Sequence, residues 1–494
     1  MGCGGDDGRH RNVSDVSRVA RDVERDRRAG DEVGRAESTR CRGDPADAAH
    51  LQRVRSSAIR PAAAGVRRGN TAQGRTVSTA TALPRTSRSL TPLVGLLAAE
   101  LISKAGNAIT MVAVPLYVLG TTGSALATGV AGVFATVPVV VGGALGGAVI
   151  DRFGYRSSSI VADVASGLTV LLIPVFALTS GLPFWLLLLL VFLSGLLDTP
   201  GDTAKTVLLP ELAERSAAPI ARAAGAQSAV QRSASMIGAS TAGILVALAG
   251  ATNSLLVNAA TFVVSALLVA VCVPRTVARP LREDAEASYL RDLADGIRFL
   301  AKQPLLRGVV VMVMVTNAID IAGITVIKPV FATGHSETGS LLGFMIGCFG
   351  AGALVGSAAF AVWGHRLAGR ALFTWSFFFA GVPPYGAMLL DLPIPVLLGV
   401  FMASGLAAGA INPMLSTAMY ALTPLPMRAR VFGAMTAGVA AAMPLGSFLA
   451  GLAIAWIGFG PTVLFCAVLY GALTLLPLFG SRWKGLDAAR GAGV

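Results

Sequence analysis

An all-α integral membrane protein, with twelve transmembrane helices in two pseudo-symmetric six-helix bundles, is the fold class this sequence predicts. Composition is the first of three observations behind that expectation. Of 494 residues, 54% are hydrophobic and 14% charged, and the mean hydropathy is +0.68. A soluble chain of this length would break its apolar runs with polar faces every few positions. Here the stretches 126–150, 182–197 and 255–273 approach or exceed the roughly 20 apolar residues that cross a bilayer. Lipid offers backbone groups no hydrogen-bond partners, so such stretches must be helical.

The second observation is an internal repeat. Asn107-Ala108-Ile109 recurs as Asn317-Ala318-Ile319, an offset of 210 (317 − 107). Gly142, Gly146 and Gly195 return as Gly352, Gly356 and Gly405 at that offset. Arg222, Gly225, Gly238, Gly243 and Gly250 return as Arg430, Gly433, Gly446, Gly451 and Gly458, at 208. With 57 glycines a single coincidence means little, but eleven positions on two neighbouring offsets do. Doubling of apolar segments is how transporters with two halves around a central pathway are built.

Basic residues supply the third. Every second loop is positive: Arg152 and Arg156, Arg215 and Arg222, Arg275 through Arg307, Arg366 and Arg370, Arg428 and Arg430, Arg482 and Lys484. The loops between, near 121–124, 180–182, 250–254 and 459–461, carry no charge. His335, Glu337 and Asp391 are exceptions that add no positive bias. The positive-inside rule therefore places both termini in the cytoplasm, in a multi-pass protein of the cell membrane. The pI near 10.2 comes from these loops and calls for no nucleic acid.

Taken in order, the expected spans are 93–119, 125–150, 159–179, 183–207, 223–248 and 252–273, then 307–331, 341–363, 371–390, 394–421, 431–457 and 461–480. They divide the chain into an N-terminal tail (1–91), a first bundle (92–274), a cytoplasmic linker (275–305), a second bundle (306–480) and a cytoplasmic tail (481–494). The first ninety residues lack Lys, Phe, Tyr and Trp and are dense in Arg, Asp, Gly and Ala. They cannot bury enough apolar surface to offset ordering entropy, so a disordered tail is expected. Arg, Ala and Gly without Lys also read as translated GC-rich DNA, with Val77 an alternative start. Cysteines 3, 41, 272, 348 and 466 show no pairing or metal-ligand spacing, so no disulfide and no cofactor is expected.

The sharpest local motif comes after span two: Gly147-Ala-Val-Ile-Asp151-Arg152-Phe-Gly154-Tyr155-Arg156. A close-packing glycine, a carboxylate, two guanidinium groups and a turn glycine can make a charged latch that forms and breaks. This loop resembles the one between helices two and three of the major facilitator superfamily, whose pattern is Gly, three residues, Asp, a basic residue, any residue, Gly, then two basic residues. Gly147, Asp151, Arg152, Gly154 and Arg156 match, and Tyr155 replaces one basic residue. The loop at 363–370 is a degenerate copy. The resemblance covers about residues 92–480. Thr122-Gly123-Ser124, Leu209-Pro210-Glu211-Leu212 and 296–304 are similar to the macrolide-efflux and enterobactin-exporter-like branch. The drug-antiporter signature of helix five, ending Gly-Pro-x-x-Gly-Gly, is not intact: Ala239 and Ala242 stand where Pro and Gly would. Span four also lacks the embedded Arg of many proton-coupled drug antiporters.

The resemblance implies a monomeric secondary transporter, acting on a small-molecule substrate by alternating access with helices one, four, seven and ten around the pathway. Proton-coupled export of a small amphipathic compound is the expectation, and import of a metabolite the alternative. A membrane-embedded transferase is disfavoured. His10 and His50 lie in the tail, His365 in a loop and His335 on the far side, and no paired-carboxylate metal motif occurs.

Ionisable groups inside hydrocarbon need a partner, a wet cavity or a function. Glu100, Lys104, Asn107 and Met111 share one face of span one. Asn317, Asp320, Ile324 and Lys328 make a similar stripe on span seven. Span four offers Asp198, Asp202 and Lys205, span five Gln227, Gln231 and Arg232, and span ten Asn412. The spacing pairs Glu100 with Lys104 and Asp202 with Lys205. Asp320 has no cation one turn away and lies roughly 20 Å into its helix. It is therefore the expected proton-coupling carboxylate.

Overall fold

The computed structural model describes residues 89–275, 286–335, 340–367, 369–424, 427–479 and 483. At some of these, 143–153 and Arg232 among them, the description stops at the backbone. Every helix described belongs to the compact unit Pro84–Val494. The unit Met1–Leu83, which holds most of the expected tail, lies outside the described residues.

Among the described residues there are helices and no strands. The first half contains α1 (Thr91–Thr122), α2 (Ala125–Phe153), α3 (Tyr155–Thr179), α4 (Phe184–Arg215) and α5 (Ile220–Cys272). Next comes α6 (Glu286–Lys302), within the expected linker. The second half begins with α7 (Pro304–Ala322), which continues through one π-helical turn, Gly323–Ile327, into α8 (Lys328–His335). It ends with α9 (Ser340–Leu367), α10 (Arg370–Leu389), α11 (Ile394–Ala408), α12 (Ile411–Leu422), α13 (Arg428–Ile457) and α14 (Phe459–Phe479).

Ten described stretches are long and apolar enough to cross a membrane, and α5 counts among them once. Gly250, inside α5, has φ 81°, so the chain turns there and α5 makes two crossings. Gly458, between α13 and α14, is its repeat partner and has φ 88°. A side chain at either would be strained in this left-handed region, which is why the repeat keeps glycine at both. α10 completes twelve crossings; Trp375, Tyr385, Pro383 and Pro384 dilute its apolar character.

The other repeated glycines also play matching parts in the two halves. A Cβ on Gly142 of α2 would sit 2.7 Å from Thr199 of α4, and one on Gly352 of α9 would sit 2.0 Å from the Met402 carbonyl of α11. Gly238 presses α5 against Ala105 of α1, and Gly446 presses α13 against Ala318 of α7. Small residues at these crossings let backbones approach closely, which is how helices pack where no hydrophobic driving force separates them from lipid.

One expected span is interrupted. The sequence reads 394–421 as a single helix, whereas the structure breaks it between α11 and α12. Pro413 has no N–H to donate to the Gly409 carbonyl four residues back. The Ser357 hydroxyl of α9 donates to that carbonyl instead, at 2.9 Å.

Buried apolar residues of both halves form one continuous core, including Val112, Ala131 and Phe262 from the first and Ile319, Val326 and Phe401 from the second. A second cluster fastens α6 to the second half through Leu300, packed with Leu306, Val310 and Val431.

Candidate transport pathway

Helix α1 carries Glu100, Lys104 and Asn107 on one face, and each finds its partner on another helix. Glu100 is 1% exposed and accepts from two amides of α5, Gln227 Nε2 at 3.0 Å and Gln231 Nε2 at 2.8 Å. Lys104 Nζ meets Asp202 Oδ2 of α4 at 2.6 Å. Asn107 Nδ2 donates to Asp198 Oδ2 at 2.8 Å. The second oxygens of Asp198 and Asp202, one helical turn apart, are buried without a hydrogen-bond partner.

These contacts replace both pairings expected from the sequence. Both Glu100 oxygens are taken by the amides of α5, and Asp202 of α4 stands within reach of the Lys104 ammonium. Lys104 therefore reaches α4 rather than Glu100. Lys205 turns away from Asp202 to Asp163 of α3, at 2.8 Å, with both side chains wholly buried. Its other two protons go to Ser103 Oγ of α1, at 3.1 Å, and Ser265 Oγ of α5, at 3.2 Å. Ser265 also donates to Asp163 Oδ2 at 2.7 Å. An ammonium has three donors, and here all three are met. Asp163 is not among the residues that spacing singles out, although a lone ionisable residue inside the span 159–179 is its visible signal.

In the second half, Asp320 interacts with Tyr470 of α14. The Tyr385 hydroxyl of α10 donates to the Ile319 carbonyl at 2.8 Å. Gly323 makes room for it, since a Cβ there would lie 2.6 Å from that hydroxyl. Asp320 thus interacts with α14 and α8 of its own half. Lys328, just beyond the π-helical turn, interacts electrostatically with Asp320 and lies over the rings of Phe349 and Phe401, 5.8 and 5.5 Å from their centroids. An extra residue in a helical turn shifts the register of the residues beyond it, and such turns often mark functional sites. Neither tyrosine stands out in the sequence, because an apolar span gives no sign of which hydroxyl meets which carboxylate.

Not every expected residue joins these clusters. Asn317 Nδ2 donates to the Val313 carbonyl of its own helix at 2.9 Å. Its repeat partner Asn107 has Asp198 to bind, but at the offset of 210 the counterpart of Asp198 is Ala408. Asn412, the counterpart of Asp202, is exposed on α12. The side chain of Arg232 lies outside the described residues. So do those of Asp151 and Arg152, which with Gly147 belong to the C-terminal part of α2. Gly154, with φ 78°, precedes α3. Arg156 donates to the Val273 carbonyl at 2.8 Å and the Ala270 carbonyl at 2.6 Å, closing the C-terminal end of α5. On the other half, Arg430 reaches Asp295 of α6 at 3.3 Å.

The halves meet at the end opposite the basic loops. A Cβ on Gly343 of α9 would lie 2.1 Å from the Gly243 Cα of α5, and one on Gly129 of α2 would lie 3.1 Å from the Gly451 Cα of α13. Gly243 and Gly451 are repeat partners, so one feature of the repeat closes both seams. Toward the basic end, a Cβ on Gly225 of α5 or Gly433 of α13 would meet nothing within 4 Å.

The sequence matches the profile of the Major Facilitator Superfamily over residues 96–336 and 310–484. The chain belongs to the major facilitator superfamily. It is 30% identical over 401 residues to the multidrug efflux pump Tap of Mycolicibacterium fortuitum, covering 81% of this chain and 98% of that protein. Identity to the multidrug efflux pump Tap of Mycobacterium tuberculosis (strain ATCC 25618 / H37Rv) is 28% over 363 residues, 73% of this chain and 86% of that one. The crystal structure of the nucleoside transporter NupG shares the fold, with a TM-score of 0.65 at 11% identity, over 81% of this chain and 98% of that one. So does a D-xylose-proton symporter, with a TM-score of 0.58 at 17% identity, over 80% and 98%. This major facilitator chain is a multi-pass membrane transporter.

Proposed function

We propose that this transporter exports small amphipathic compounds across the cell membrane in exchange for protons, as a monomer with both termini in the cytoplasm. Its bundles, 92–274 and 306–480, rock about the substrate path, and α6, within the linker 275–305, travels with the second. The observation that carries alternating access is the matched pair of glycine seams among the described residues, Gly243 with Gly343 and Gly129 with Gly451, at the end away from the basic loops. The relatives named as multidrug efflux pumps support export over import. The loop from Gly147 through Asp151, Arg152 and Gly154 to Arg156 is the proposed conformational latch.

Asp320 is the proposed proton-linked carboxylate. The neighbouring Tyr470 supports that role: a tyrosine hydroxyl can donate to a carboxylate or accept from a carboxylic acid, so it suits either protonation state. Glu100 differs, because two amide N–H groups only donate and protonation would cost it one bond. A specific observation favours a second reading. The unpartnered oxygens of Asp198 and Asp202 offer a place for one shared proton, beside Lys104 and Asn107 on the pathway.

Direction and energy source are tested together by following a fluorescent amphipathic dye in cells that express the chain. Expected is lower accumulation than in control cells, restored to control by a protonophore. Higher accumulation than control would make the chain an importer, and an unchanged export rate with protonophore would remove proton coupling.

A further inference from the structure

A cavity of about 710 Å³ lies in the second half between α9, α10 and α11, apart from both the polar clusters and the glycine seams. Phe360 and Trp363 of α9 and Trp375 and Phe379 of α10 form its walls, and Ala403 and Ala407 of α11 its floor. No charged residue lines it; Ser376 and Ser404 supply its hydroxyls. The size is that of a ligand pocket, roughly 300–1,000 Å³.

Its position decides what can reach it. Trp363, Trp375 and Phe379 are each about half exposed, so in a membrane-spanning helix their outer surfaces meet lipid. Trp375 is five residues into α10, about 7.5 Å beyond Arg370 at ~1.5 Å per residue. That is the depth at which amphipathic molecules collect in a bilayer. Tryptophan is common at this level as an interface anchor, but anchoring needs no cavity behind the ring. The cavity exists because the floor is alanine, where any large apolar side chain would be compatible with the surrounding lipid.

The wall chemistry selects a ring over a chain. Four aromatic side chains, Phe360, Trp363, Trp375 and Phe379, line it, and Trp375 stacks on Phe379, 29° from parallel with centroids 5.7 Å apart. A rigid ring system gains offset stacking there and loses little freedom on binding, whereas an acyl chain gains no stacking and must freeze several rotors.

We propose that this cavity is a membrane-facing binding site for the flat, uncharged aromatic portion of bilayer-dissolved amphiphiles. Its place in transport, holding cargo before it passes between the halves, rests on the exporter reading; the binding itself does not. Pyrene is a suitable probe because it accepts energy from excited tryptophan. The full chain is reconstituted in liposomes without any gradient, and energy transfer is followed as pyrene is added. Expected is a saturable component above the linear rise from partitioning, with half-saturation at least tenfold higher in Ala407→Leu, which fills the floor. Ala403→Leu gives the same result if Ala407→Leu does not fold. The proposal is overturned if transfer in the native chain rises linearly without saturating, or if both filled variants saturate like the native chain. It is also overturned if a brominated phosphatidylcholine quenches the native tryptophans to saturation and pyrene does not relieve that quenching, which would make this a lipid site.

Discussion

Asp320 and Glu100 show how one carboxylate differs from another once its partner is known. Both sit in apolar helices and both are costly to bury. The two amides on Glu100 fix it as an acceptor, while the Tyr470 hydroxyl beside Asp320 can serve as donor or acceptor. Asp320→Asn is expected to abolish substrate-driven proton release from purified protein while dye binding survives. Glu100→Gln is expected to retain most proton release and to lower the amount of folded protein, because Gln227 and Gln231 lose a charged acceptor. The comparison is made with a pH-sensitive dye in weakly buffered detergent solution. Should Asp320→Asn release protons normally while Asp198→Asn does not, the proton site belongs to the first half.

Among helices, the wholly buried contact of Asp163 with Lys205 ties α3 to α4, and the two serines extend it to α1 and α5. Removing one partner leaves a buried charge uncompensated and costs about 3–5 kcal/mol, whereas replacing both with apolar groups of similar volume is often nearly neutral. Lys205→Met alone should therefore lower the thermal unfolding midpoint in detergent strongly. Adding Asp163→Leu should recover most of the loss, since the stranded carboxylate disappears. A double variant no more stable than the single one would mean that the network's hydrogen bonds, rather than its charges, hold these helices. The break between α11 and α12 belongs to the same scale: one missing N–H at Pro413 ends a helix, and one hydroxyl at Ser357 repairs the exposed carbonyl.

The two halves of the molecule touch through glycine at the far end, and a transport cycle requires those seams to open and close. Overpacking of a close contact costs typically ~1–3 kcal/mol. About 1.4 kcal/mol against the closed arrangement shifts its population tenfold. Gly343→Leu is expected to cut transport by about tenfold at unchanged abundance in the membrane. It should also raise labelling of a single cysteine placed near Gly243 by a membrane-impermeant maleimide. Normal transport with unchanged labelling would show that this seam does not open during the cycle.

Twelve crossings, the doubling and the glycines that execute it are all legible in the amino-acid order. Apolar length and backbone approach are properties that a bilayer imposes segment by segment, so they are written locally. Gly250 and Gly458 match as repeat partners before any coordinate is known, and their shared left-handed turn is what that match encodes. Partnership is not written locally. Glu100 and Lys104 lie one turn apart, yet each is satisfied across an interface, and Asp163 and Tyr470 acquire meaning only from the helices opposite them. Side chains in a membrane pair with whatever packing brings within about 3 Å, and packing is a property of the whole fold. Helix packing, and nothing local, therefore sets which charges are structural, which carboxylates keep an unpartnered oxygen, and where a cavity lies open toward lipid.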